Sequence, residues 1–196
     1  LADWAENWGT PAMKKKAALL VGRPGIGKTT AAHALAADRG WSLIELNASD
    51  QRNTKAINDV ATRGSVYETF TRDGDFKSAA RGERKLIILD EADNVAGRED
   101  QGGYRAIIEL VRETKQPILL VANDYYELRR KASALDSLCL ILKFDAPRQQ
   151  SIVRRLGEIC SLEGVSAPKA VLESIAERSS GDMRSAVNDL QTALTG

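Results

Sequence analysis

The stretch Gly22-Arg23-Pro24-Gly25-Ile26-Gly27-Lys28-Thr29 fits the pattern G-x-x-x-x-G-K-[ST], and it directly follows the apolar run AALLV of residues 17–21. No other feature constrains the fold as much, because the pattern works only where a strand enters the turn and a helix leaves it. Glycines let backbone N–H groups face inward around phosphate oxygens, and a helix opening near Lys28 adds its positive end. In such loops the lysine reaches the β- and γ-phosphates and the hydroxyl after it ligates Mg²⁺. Residues Gly22, Arg23, Pro24, Gly25, Ile26, Gly27, Lys28, Thr29 and Thr30 are therefore the expected ATP-binding segment, with Thr29 a ligand for Mg²⁺.

Four more β-rich runs follow: SLIELN (42–47), LIILD (86–90), PILLVAN (117–123) and CLILKF (139–144). Apolar runs of this kind, with helical stretches between them, predict a parallel sheet covered on both faces. After Asp145-Ala146-Pro147 the strands stop. Residues 148–163, 168–178 and 182–194 then read as three amphipathic helices, punctuated by Gly164, Pro168 and Gly181, with Asp182 as an N-cap. The expected fold is α/β, a P-loop domain over residues 1–145 followed by a three-helix domain over 146–196.

Composition narrows the chemistry. The 196 residues are 43% hydrophobic and 28% charged with a formal net charge of +1, so a nucleic-acid surface would have to be local. No apolar run approaches the ~20 residues of a membrane span. Two cysteines far apart, Cys139 and Cys160, predict reduced, packed thiols in a cytoplasmic setting, and a lone histidine, His33, gives no basis for a zinc site. The opening LADWAENWGT has no signal-peptide pattern and reads as a chain entered in mid-helix, which predicts a truncated N-terminus.

Asp90 and Glu91 complete the constellation. An acidic residue ending a buried strand sits at the carboxyl edge of the sheet, where ligands of open α/β sheets bind. Asp90 is expected to hold Mg²⁺ through water, and Glu91 to polarise an attacking water. Asn123 ends another strand and is placed to reach the γ-phosphate or that water. The letters DEAD at 90–93 also occur in RNA helicases. Those enzymes need two α/β domains and a Ser-Ala-Thr element after the acidic strand, and this chain has room for one domain and lacks the element.

An α/β ATPase domain with a small helical domain resembles the AAA+ ATPases. Glu45-Leu46-Asn47-Ala48-Ser49-Asp50, Ala122-Asn123-Asp124 and Gly181-Asp182-Met183-Arg184 match stretches of the clamp-loader family. The wording is nearer still to the large subunits of archaeal replication factor C, through Trp41, Glu99-Asp100 with Gly102-Gly103, and Ala186-Val187-Asn188-Asp189-Leu190-Gln191. That resemblance implies a MgATP-driven subunit that loads a sliding clamp onto primer-template DNA together with small subunits. It also implies that Arg184 reaches from the lid to the γ-phosphate. Family members have a segment before the first strand that helps hold adenine, and a helical collar after the lid. Neither is visible here, so the expectation is an ATPase-plus-lid fragment.

Other roles follow only from the resemblance. Arg52, Asn53 and Lys55 fall in a helix of the kind that lines a DNA chamber, although a solvated helix face reads the same way. Lys85 is expected to couple DNA contact to Glu91, and Asn47 to serve as that glutamate's switch partner. Val66, Tyr67 and Phe70 form either an apolar hook for the clamp or a local core. Small subunits carry Ser-Arg-Cys before the last strand, and their arginine reaches the neighbour's ATP. Here the residues are Ser137-Leu138-Cys139, which cannot stabilise phosphoryl charge unless Arg129 or Arg130 serves instead. The readings that compete are another AAA+ DNA remodeller and an ATP-binding scaffold without hydrolysis.

Overall fold

The computed structural model of the chain describes residues 1–49, 68–70, 76–78, 84–95 and 100–195. Contacts divide these into two compact units: residues 1–21 with 29–143, and residues 22–28 with 144–196.

In the first unit, β1 (Ala17–Val21), β2 (Ser42–Asn47), β5 (Lys85–Asp90), β6 (Ile118–Ala122) and β7 (Cys139–Lys143) form one sheet in the order β2-β5-β6-β1-β7. All of its pairings are parallel. Every residue of β1 and β6 is buried, as are the first five of β5. Interior strands of a parallel sheet are covered on both faces, so they read as unbroken apolar runs. Edge strand β2 instead mixes exposed and half-buried positions. The expected strands therefore appear within a residue of their predicted ends.

Helix α2 (Lys28–Arg39) follows β1, and α3 (Asp100–Glu113) packs Tyr104, Ile107, Leu110 and Val111 into the core formed with Leu19, Ile87, Leu89 and Leu120. Helix α1 (Ala2–Glu6) lies where the opening reads as helical, and elements absent from the sequence reading are the antiparallel pair β3 (Glu68–Phe70) and β4 (Phe76–Ser78), and the short helices α4 (Tyr125–Lys131) and α5 (Ala134–Leu138). The chain start is tied down by its tryptophans. Trp4 and Trp8 are each 7% exposed and donate their indole N–H to the carbonyls of Lys15 and Lys16, both at 2.8 Å. Arg84 lies 5.1 Å from the centre of the Trp8 ring and donates to the Trp8 carbonyl. A buried indole needs such a partner for its N–H.

The second unit contains α6 (Gln149–Leu162), α7 (Lys169–Arg178) and α8 (Met183–Thr195). Ile152, Leu156 and Cys160 recur at the spacing that keeps one helix face apolar, and they pack with Leu172, Ile175, Ala186 and Leu190. Among the described residues no helix is long and apolar enough to cross a membrane.

Both cysteines are free and buried. Burial pushes the Cys139 thiol from 9.0 up to about 12. The folded chain therefore keeps a proton that the unfolded chain gives up, so this contribution is complete below about pH 8.5 and is lost as pH rises toward the folded value. Cys139→Ala is expected to flatten the alkaline fall of the unfolding midpoint, measured by denaturant titration between neutral and strongly basic pH. Leu120→Ala, in the middle of β6, is expected to cost about 2–5 kcal/mol in the same assay.

Candidate ATP site

The sheet of the first unit ends in a row of polar residues. Register places Asn47 opposite Asp90, and Val21, the last residue before the glycine loop, opposite Ala122. A parallel ladder leaves N–H groups without strand partners at this edge, and side chains must satisfy them. Asn47 accepts from the Ser49 N–H at 2.8 Å and from its hydroxyl at 2.7 Å, turning the chain after β2. Ala48 N–H donates to the Asp90 carbonyl at 2.8 Å, which fastens that turn to β5.

Asp90 is held through both carboxylate oxygens. The Thr29 hydroxyl, in the first turn of α2, donates to Oδ2 at 2.9 Å, and the Glu91 N–H donates to Oδ1 at 2.8 Å. The two residues expected to serve Mg²⁺ are thus brought together. Hard oxygen donors of this kind suit Mg²⁺, which is commonly held by one or two protein groups plus substrate phosphates. Among the described residues no cluster of three or more His, Cys, Asp or Glu side chains could hold a metal alone. The donor set fits a phosphate-borne Mg²⁺.

Glu91 has φ 54°, a left-handed conformation that a residue with a Cβ adopts rarely and that concentrates at functional sites. It follows from the turn. Ala92 N–H donates to Val121 O at 2.9 Å, and Asn94 N–H to Glu91 O at 2.8 Å. Asp93, which the sequence reading passed over, is only 8% exposed. Its Oδ2 accepts the N–H groups of Asn123 at 3.0 Å and Asp124 at 2.8 Å. Asp124 in turn caps α4 by accepting from Tyr126 and Glu127. The Tyr104 hydroxyl donates to the Asp93 carbonyl at 2.9 Å.

Lys85 is placed differently from Asp90 and Glu91. It is the first residue of β5, 5% exposed, at the opposite end of the strand from Asp90. Arg52, Asn53, Lys55, Val66 and Tyr67 lie outside the described residues, and Phe70 is described only as the last residue of β3.

The second unit carries the glycine loop itself. Lys28 is 5% exposed and its ammonium donates to the carbonyls of Gly22 at 2.7 Å and Arg23 at 2.8 Å. Gly25 and Gly27 have φ of 74° and 97°, values that turn successive amides and that side chains oppose. Gly25 has a second reason to lack a side chain, since a Cβ there would lie 2.0 Å from an Asp182 carboxylate oxygen. The Gly25 carbonyl accepts from Met183 N–H at 2.9 Å and Arg184 N–H at 3.4 Å, while Asp182 caps α8 by accepting from Ser185 N–H at 2.9 Å. Arg184 stands exposed on the first turn of α8. Its guanidinium has no hydrogen bond or ion pair among the described residues, which leaves the charge available. A cavity of about 230 Å³ is bounded by Arg23, Pro24, Ile26, Ala146, Gly181 and Asp182. The loop fits a polyphosphate: inward-turning glycines, a buried ammonium on replaceable carbonyls, and a neighbouring arginine.

A glycine loop of the phosphate-binding pattern, a parallel sheet with a carboxylate edge and a unit of three helices are the parts of an ATPase of the P-loop class. Residues 18–137 match the family model "ATPase family associated with various cellular activities (AAA)", and residues 154–195 match the model of the "RCF1/5-like, AAA+ ATPase lid domain". The chain belongs to the AAA ATPase family. It is 44% identical over 196 residues to the replication factor C large subunit of Methanosarcina mazei, covering 100% of this chain and 30% of that protein. With the Halobacterium salinarum replication factor C large subunit it shares 47% over 191 residues, 97% of this chain and 38% of that one. The chain thus spans about a third of the length of these relatives. Among solved structures, a Thermotoga maritima RuvB superposes with a TM-score of 0.68 at 20% identity, covering 97% of this chain and 58% of that one. This likeness shows the fold alone.

Gly25→Ala is expected to lose about 1–2 kcal/mol from the left-handed backbone. It should also weaken MgATP binding, because the Asp182 carboxylate must leave its capping position. Thermal unfolding and a calorimetric nucleotide titration measure the two effects.

Proposed function

We propose that this chain is the ATPase and lid portion of a clamp-loader large subunit, which binds MgATP and hydrolyses it while placing a sliding clamp on primer-template DNA. The observation that carries the reading is 44–47% identity along essentially the whole chain to archaeal replication factor C large subunits. The Thr29–Asp90 pairing and the constrained Glu91 support it. Lys28 and the loop amides bind the β- and γ-phosphates, Thr29 and Asp90 hold Mg²⁺, and Glu91 polarises the attacking water. Asn123 and Arg184 sense the γ-phosphate. Small subunits, the clamp and primed DNA are the partners, with Arg52, Asn53, Lys55 and Lys85 assigned to DNA, and Val66, Tyr67 and Phe70 to the clamp.

Hydrolysis on this reading needs an arginine from an adjoining subunit, a contribution of about 10³–10⁵ in rate in related P-loop systems. At the position where small subunits carry the arginine they give in return, this chain has Leu138. Leu138 packs against the sheet core, and Arg129 is engaged by Asp136 at 2.9 Å. Arg130 is 77% exposed with its nearest carboxylate, Glu127, 3.8 Å away. The subunit then sits at one end of an open arc.

Reconstitution of the full-length subunit with small subunits, clamp and primed DNA tests the reading. Glu91→Gln should retain MgATP and stop this site's hydrolysis, whereas Lys28→Ala should weaken binding itself through loss of the main phosphate cation. Clamp loading unaffected by either change would overturn the proposal. Removing the neighbour's arginine should silence this site, while Leu138→Arg and Arg130→Ala leave every other subunit's hydrolysis unchanged. A sharp fall elsewhere would remove the end-of-arc placement.

A further inference from the structure

The loop carrying Glu91 and the strand end carrying Asn123 are joined by one buried carboxylate. Asp93 Oδ2 receives two consecutive backbone N–H groups, those of Asn123 and Asp124, at 3.0 and 2.8 Å. Consecutive amides converging on one anion form a concave nest, and filling it fixes the φ/ψ of the residues that build it. Asn123 is the first residue beyond β6. The other oxygen, Oδ1, is buried and has no hydrogen-bond partner among the described residues. A carboxylate buried with one oxygen unsatisfied is costly to keep, and such exceptions need an explanation beyond packing. Asp93 is itself pinned from behind: Tyr104, 3% exposed, donates to its carbonyl, and the Lys131 ammonium lies 5.5 Å from the centre of the Tyr104 ring.

We infer that Asp93 is a positioning residue that sets the Asn123 side chain for γ-phosphate contact by clamping the backbone amides of residues 123 and 124. The inference rests on the ATPase reading above and adds to it a residue that touches neither phosphate nor water. The effect runs through the 123–124 amides, since the Glu91 turn has its own tie in Ala92 N–H to Val121 O at 2.9 Å.

The test uses the full-length subunit in its reconstituted complex, with the nucleotide sites of the other subunits disabled. Asp93→Ala should lower kcat by about 10²-fold, the scale on which a small misplacement of a positioned group acts. KM for ATP should move by less than about threefold, because the phosphate cradle is untouched. Asp93→Asn should recover most of the rate, since its amide oxygen can accept both N–H groups. In an Asn123→Ala background, Asp93→Ala should have little further effect, the non-additivity expected of residues that act as one unit. Full additivity of the two changes, or a rise in KM matching the fall in kcat, would overturn the inference. If Asp93→Ala unfolds the chain, the Asp93→Asn rate and its behaviour in the Asn123→Ala background decide the matter alone. Glu91→Gln is the control that separates the two claims: an active Glu91→Gln subunit fails the ATPase reading. An inactive one beside a fully active Asp93→Ala fails only the positioning role.

Discussion

A parallel sheet satisfies its own backbone everywhere except at its ends, and the candidate site is built from the groups that satisfy the end of this one. The interior strands β5, β6 and β1 are dry along nearly their whole length. Where they stop, amides emerge close to a core that cannot hydrate them, and unpaired groups there would each cost about 1–3 kcal/mol. Asp90 and Asp93 answer that requirement with part-buried bonds, and Asn47 and Asp124 do the same for exposed amides. Each takes one or two backbone N–H groups just past a strand end or at the first turn of a helix. The same requirement gathers carboxylates at the one edge where a metal-bound phosphate can use them. Asp90 is held on both sides, with one oxygen on Glu91 N–H and the other on the Thr29 hydroxyl.

What the sequence made legible follows from the same physics. Strands buried on both faces have no polar positions to interrupt them, so AALLV, LIILD and PILLVAN are bounded almost where β1, β5 and β6 are. The helices of the second unit carry a clear apolar stripe and glycine or proline at their junctions, and they too fall within a residue or so of expectation. The helices α4 and α5 are five to seven residues long, too short for a periodic pattern, and α4 is largely set by one cap, Asp124. Pattern reasoning needs several turns to see a helix. β3 and β4 are three residues each and offer no alternation to read.

Lys28-Thr29 and Asp90-Glu91 are each expected from a short local motif, and the fold brings Thr29 to Asp90 across 61 residues. Asp93 is not. Its partners are 30 and 31 residues away, and only the register of β5 with β6 brings them to it. A signal was present all the same: an acidic residue only three positions beyond a fully buried strand has to find donors. Lys85 stands at the other end of the same strand, and a strand of this length separates its ends by roughly 17 Å at ~3.3 Å per residue. Any coupling of Lys85 to Glu91 therefore has to run along β5 rather than through direct contact.

Each unit has its own charge character. Residues 22–28 and 144–196 hold the Lys28 ammonium, the turned amides around Gly25 and Gly27, and the exposed guanidinium of Arg184. The unit holding residues 29–143 holds Asp90, Glu91 and the Thr29 hydroxyl. The glycine loop is moreover tied to the lid helix through its own backbone, with the Gly25 carbonyl on the amides of Met183 and Arg184. Those amides head α8, so the carbonyl sits where an anion would otherwise be favoured. Turning the Gly25 peptide would break both of its bonds to the helix that carries Arg184. The glycine that permits this approach does so twice over, by its positive φ and by having no Cβ to strike Asp182. Loop and lid helix are joined backbone to backbone at Gly25.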